Sequence, residues 1–138
     1  MNLVRITCLV LVAAALAACA TSAERLQFEQ EQLAIYSKHA GEPVQQVRSF
    51  RMISWQPVGD LSILLEARLN DWYWVDVYGP CMDLPFAKVI GFNMSMNTLQ
   101  ARFDSIVVEG QPCRIRSIRP IDYKAASAEL RALRDARR

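Results

Sequence analysis

The chain has 138 residues, with 16 Lys and Arg against 14 Asp and Glu. That is enough for one small domain plus a tether, and too nearly neutral for a general attraction to nucleic acid or acidic lipid. With five glycines and one histidine in the whole chain, it lacks both the glycine-rich loop that cradles phosphate and the histidines of common metal and nucleophile sites.

The first element is an apolar run from Ile6 to Ala18 behind a single basic residue, Arg5. At about 13 residues it is shorter than the roughly 20 needed to span a bilayer. It ends in Leu16-Ala17-Ala18-Cys19, which resembles the bacterial lipoprotein signal, where a cysteine behind small residues is acylated and becomes the new N-terminus. Residues 1–18 are therefore expected to be a lipoprotein signal peptide and Cys19 the lipid-bearing residue. Three acyl chains of palmitate length would anchor it stably, whereas one binds only marginally. Ala20, rather than an aspartate, follows the cysteine, which favours the outer membrane, facing the periplasm.

Residues 19–45 read as a lipidated tether with partial helical character. Leu26, Leu33 and Tyr36 share a face, and Gly41 and Pro43 end the pattern. From Val47 onward the period changes from helical to alternating. "VRSFRMISWQ" is rich in β-branched and aromatic residues and runs into the turn "PVGD". In "LSILLEARL" Leu61, Ile63, Leu65, Ala67 and Leu69 fall on one face, with Ser62, Glu66 and Arg68 opposite, the pattern of a half-buried strand. Asn70-Asp71 then forms a tight hairpin into "WYWVDVYG", with Trp72, Trp74, Asp76 and Tyr78 on one face and Tyr73, Val75 and Val77 on the other. After the turn-rich "GPCMDLPF" come "AKVIGFNM", "SIVVEG" and "CRIRSIRP", and Asp122 can cap a final helix, "YKAASAELRALRDARR". About six strands without βαβ alternation predict a mainly β, α+β domain over 46–122. The expected form is a small antiparallel β-sandwich or open barrel, with an N-terminal tether helix and a basic C-terminal helix or tail over 123–138.

Two cysteines remain once Cys8 leaves with the signal and Cys19 is acylated. In an oxidising compartment Cys81 and Cys113 are expected to pair, tying the connection after the third strand to the start of the sixth. A metal pair or a redox dithiol are the alternatives, but His39 lies in the tether and the cysteines lack CxxC spacing.

Four segments, "SFRMISWQPVGD", "YGPCMDLPFAKVIGF", "ARFDSIVV" and "PCRIRSIRPID", together resemble a proteobacterial envelope lipoprotein family with an uncharacterised domain, over roughly residues 45–125. The resemblance implies the envelope address and supports the disulfide, and it brings no activity, cofactor or catalytic residue.

Among the carboxylates, Asp83 and Asp122 sit where aspartates fix turns and caps, and Asp104 could join a surface ion pair with Arg114 or Arg116. No enzyme, metal or cofactor is predicted. From Cys113 onward there are eight basic residues against three acidic ones, so Arg114, Arg116, Arg131, Arg134 and Arg138 are the candidate partner-binding surface. The expected function is a non-enzymatic envelope lipoprotein, held at the membrane by acylated Cys19, that binds another envelope protein and no nucleic acid. The alternative is a sugar- or lipid-binding domain using Trp72, Trp74 and Tyr78.

Overall fold

The computed structural model describes residues 22–138. The expected signal peptide and Cys19 lie outside the described residues. Residues 22–39 are helical (α1), and the chain divides at Ala34/Ile35 into two compact units, of which the second, Ile35–Arg138, carries every strand among the described residues.

That second unit contains eight strands and a helix: β1 (Gln46–Val47), β2 (Ser54–Pro57), β3 (Ser62–Arg68), β4 (Asp71–Val77), β5 (Gly91–Asn93), β6 (Leu99–Gln100), β7 (Ser105–Val108), β8 (Gln111–Ile121) and α2 (Tyr123–Ala136). Six of the strands form one antiparallel half-barrel in the order β2-β3-β4-β8-β7-β5, while β1 and β6 pair separately. The α+β class, the six-stranded open barrel and both helices are thus as the sequence predicts.

Alternation builds the inner face. Ile63, Leu65 and Ala67 of β3, Val75 and Val77 of β4, Ile106 and Val108 of β7, and Cys113, Ile115 and Ile118 of β8 are buried in one cluster. The step from Ile115 to Ile118 breaks the period of two because Asp76 pairs with Ser117 but Val77 pairs with Ile115. The extra residue, Arg116, is a bulge, and it turns Ser117 and Arg119 to the outer face.

The outer face is covered as well. Leu64 and Trp74, directly paired across β3 and β4, are buried together with Ile35, Tyr36, Ala126 and Leu130, none of which belongs to the inner cluster. The last turn of α1 and the apolar side of α2 supply this second layer. Asp122 caps α2 as expected, its Oδ1 accepting from the Ala125 amide at 2.9 Å.

Several local readings differ. The segment expected as one strand from Val47 to Gln56 is broken, because Ser49 takes a left-handed φ of 54° and ends β1. Leu69 is not a core residue: β3 stops at Arg68, which pairs with Asp71, so Leu69-Asn70 is the turn and Leu69 is 78% exposed. "AKVIGFNM" contributes only Gly91–Asn93 to the sheet. Residues 35–45, assigned to the tether, are instead stitched to the end of β8. Gly41 donates to the Pro120 carbonyl at 2.7 Å, Val44 to that of Ile118 at 2.8 Å, and Asp122 to that of His39 at 3.1 Å.

His39, far from the β region in sequence, ends up on α2. Its Nε2 lies 2.7 Å from Glu129 Oε2, and Lys38 Nζ donates to both Glu129 oxygens at 2.9 and 3.0 Å. The His39 contact first, and Lys38 second, hold the Glu129 carboxyl below its ordinary value of 4.5. A carboxyl depressed in the folded state adds stability that is present above its ordinary value and is lost as pH falls through the lower folded one. Thermal melts of wild type and Glu129→Gln should therefore differ at about pH 6, wild type being the more stable, and converge by about pH 3. A difference that persists undiminished at the acid end would contradict this role.

Candidate functional site

The three aromatic residues expected on one ligand face occupy three different settings. Trp74 is 6% exposed, with the Arg119 guanidinium 4.4 Å above its ring, a cation–π contact, and its buried Nε1 has no hydrogen-bond partner among the described residues. Trp72 stacks on Tyr123 of α2, centroids 4.0 Å apart and planes inclined by 15°. Tyr78 follows the end of β4, is 46% exposed, and lies beside Arg102 and Arg114. They do not combine into a single open aromatic surface.

Between Trp74 and Tyr78 lies a well-organised buried polar group, Asp76. Asp76 is 6% exposed and accepts from Ser62 Oγ and Ser117 Oγ, each at 2.7 Å, one from either neighbouring strand. Arg119 and Arg116 approach its Oδ2 at 3.8 and 3.9 Å. The bulge at Arg116 makes this possible, since unbroken alternation from Ile115 would bury Ser117 in the inner core. Both carboxylate oxygens are engaged, so the arrangement is a cross-strand clamp that satisfies a buried charge.

Asp104 and Asp71 are occupied too. Asp104 forms no ion pair with Arg114 or Arg116. It is buried, and its Oδ2 accepts from the Gln100 amide at 2.6 Å, closing the turn between β6 and β7. Asp71 holds Arg68, with Nη2 at 2.6 Å and Nε at 3.0 Å, and also accepts from Tyr73 Oη at 3.3 Å. Burial first, and the Asp71 charge second, push the Tyr73 phenol up. Asp83 precedes the 3-10 turn Leu84–Phe86 without a side-chain capping bond. Among the described residues no group of three or more His, Cys, Asp or Glu is placed to hold a metal ion, and no helix is long and apolar enough to cross a membrane.

The candidate basic surface divides. Arg116 approaches Asp76 at 3.9 Å while staying half exposed, and Arg114 joins Arg102 and Tyr78 around a shallow cleft of about 440 Å³. Arg131 and Arg134 of α2 line a different groove with Tyr36, Gln56 and Leu130, where Arg131 Nε donates to its own helix at the Ser127 carbonyl, 3.3 Å away. Arg138, at the chain end, donates its amide to the Asp135 carbonyl. Arg102 was missed from sequence because its partner strand is distant in the chain, and only a turn brings it to Arg114.

The connection from Gly79 to Ile90 is the most distinctive part of the surface. Cys81 and Cys113 are joined, with Cα atoms 5.9 Å apart, so this connection is fastened to the start of β8. Leu84 and Ile90 are buried beneath it. With its inner side pinned at three points, it turns Met82, Phe86 and Val89 outward at 78%, 82% and 76% exposure. Met82 and Phe86, with Leu61 and Pro80, border an apolar notch of about 380 Å³ that Asp60 also lines. Isolated exposed apolar residues need no explanation, but Met82 and Phe86 flank one apolar notch and Val89 is exposed on the same constrained connection, an arrangement of the kind that marks an interaction surface.

No curated protein and no solved structure matches the chain. The profile of a family of unknown function, DUF6491, matches residues 2–137. A match of that extent takes in the half-barrel, the disulfide-bonded connection and the C-terminal helix together, and the chain is therefore a member of the DUF6491 family.

Proposed function

We propose that this protein is a non-enzymatic lipoprotein of the cell envelope, anchored through acylated Cys19 at the periplasmic face of the outer membrane, and that it binds another envelope protein through the Met82/Phe86/Val89 patch. The observation that carries the reading is the outward display of these side chains on a connection fixed by the Cys81–Cys113 disulfide and by buried Leu84 and Ile90. A connection already fixed in place loses little backbone entropy on binding, so less of the gain from burying its apolar side chains is offset. Asp60 in the notch and exposed Asp83 beside Met82 outnumber the one cation of the connection, exposed Lys88 beside Val89, and leave the rim net acidic. That suits a protein segment bringing an apolar side chain flanked by a basic one, and it opposes insertion into an anionic lipid surface. The short apolar run ending at Cys19 and a disulfide that needs an oxidising compartment both support the envelope address. Asp76, Asp104 and Asp71 are each engaged in structural bonds, which favours binding over acid–base chemistry. The small-ligand alternative has less support, since Trp74 is covered.

The double variant Met82→Ser/Phe86→Ser tests the reading. Both side chains are exposed, so the melting temperature should hardly move. A partner identified by crosslinking in whole envelopes and then purified should bind the variant about 10–100-fold more weakly than wild type, as expected for losing a central apolar anchor. Unchanged affinity would overturn the proposal. So would a patch-dependent homodimer or patch-dependent binding to protein-free lipid vesicles, which would show that a second copy or a membrane is the occupant.

A further inference from the structure

Arg102 stands in a conformation that arginine rarely adopts, with φ of +69°. Non-glycine residues are held there only where the surroundings over-determine the backbone. Here they do. The Arg102 amide donates to the Ile115 carbonyl at 2.8 Å, the Ile115 amide donates back to the Asp104 carbonyl at 2.9 Å, and buried Asp104 clamps the turn through Gln100. The turn is thereby locked against β8 next to Arg114. From the other side, the Tyr78 amide donates to the Arg114 carbonyl at 2.9 Å. Three segments distant in sequence, the end of β4, the β6–β7 turn and β8, thus deliver Tyr78, Arg102 and Arg114 to one cleft of about 440 Å³.

Two like charges placed together repel, and proteins ordinarily seat a carboxylate between them. The neighbouring arginines follow that rule, since Arg116 and Arg119 share Asp76. Arg102 and Arg114 do not. Among the described residues neither guanidinium has an ion pair or a side-chain hydrogen bond, and the nearby Asp104 is spent on the Gln100 amide. That carboxylate is thus engaged elsewhere.

We infer that Tyr78, Arg102 and Arg114 form a binding cleft for a phosphate group. Two planar guanidinium forks from different segments, with a phenol as a further donor, suit a tetrahedral anion that accepts from several directions. A planar carboxylate is satisfied by a single fork. Neither a glycine-rich loop nor a helix N-terminus is involved, which is why no phosphate motif is legible in the sequence. The phosphate could be that of a free anion or of a phospholipid headgroup, and the chemistry of recognition is the same. The inference is independent of the apolar patch and of any protein partner.

The test uses the full chain in a non-ionic detergent, following the Nε–Hε signals of the arginines by NMR. One arm adds inorganic phosphate, and the other adds micelles doped with phosphatidic acid. Saturable shifts confined to Arg102 and Arg114 are expected. Tighter binding in the first arm identifies free phosphate as the source, and tighter binding in the second a lipid headgroup. Arg102→Gly keeps the left-handed turn while deleting the guanidinium. It and Arg114→Gln should each weaken binding by about 10–100-fold, the usual worth of a charge-assisted bond, whereas the exposed Arg51→Gln should leave binding unchanged. Absence of saturation in both arms, or an equal loss with Arg51→Gln, would overturn the assignment.

Discussion

The Cys81→Ala/Cys113→Ala variant is expected to lose about 2–5 kcal/mol of stability, a large share of the 5–15 kcal/mol typical of a small domain. The cysteines are separated by 32 positions, and in the chain-entropy description a closed loop of that size restricts the unfolded chain by about 3.5–4 kcal/mol. Each is also buried in the inner cluster, at 3% and 4% exposure, so alanine removes packed sulfur as well. Urea unfolding of the oxidised wild type and the variant measures the difference. Binding through Met82 and Phe86 should weaken along with stability, because the same bond fixes the connection that displays them. A variant as stable as wild type would mean that the half-barrel alone holds this connection.

Leu64→Ala should cost about 2–5 kcal/mol, although Leu64 lies on the face of β3 that alternation assigns to solvent. It is fully buried opposite Ile63 and Leu65, in the layer that α2 and the last turn of α1 close. The comparison is Leu69→Ala, which alternation places in the core and the turn places in water. It should change stability by no more than about 0.5 kcal/mol. Reversal of these two effects in a denaturation experiment would mean that the outer layer is not a packed core.

These two leucines also show what was legible in the sequence. The central strands β3, β4, β7 and β8, the antiparallel architecture, the Asp122 cap and the paired cysteines follow from period, turn residues and arithmetic, each a local property. What escaped depends on partners remote in the chain. Leu64 looks solvent-facing until a helix some 60 positions later covers it. Ser117 looks core-facing until the bulge at Arg116 rotates it to Asp76. Trp72, Trp74 and Tyr78 share a face in an ideal strand, but the helix takes the first, Arg119 covers the second, and the strand ends before the third. His39 and Tyr36 looked like tether until the backbone bonds to Pro120 and Ile118 drew that segment into the domain.

The function was less legible because exposure cannot be read from residue type. Met82, Phe86 and Val89 resemble Leu84 and Ile90 in composition, and only the way the connection is pinned decides which of the five face out. Arg102 likewise carries no signature until a left-handed turn sets it beside Arg114.

The most direct measurement is site-specific photo-crosslinking in living cells, with the reactive side chain placed at position 86 and, as a control of similar exposure, at position 69. A protein-binding patch predicts one discrete protein adduct from position 86, absent from position 69 and lost when Met82 is also replaced by Ser. Adducts of equal pattern from both positions, a lipid adduct, or a dimer of the chain itself from position 86 would contradict it.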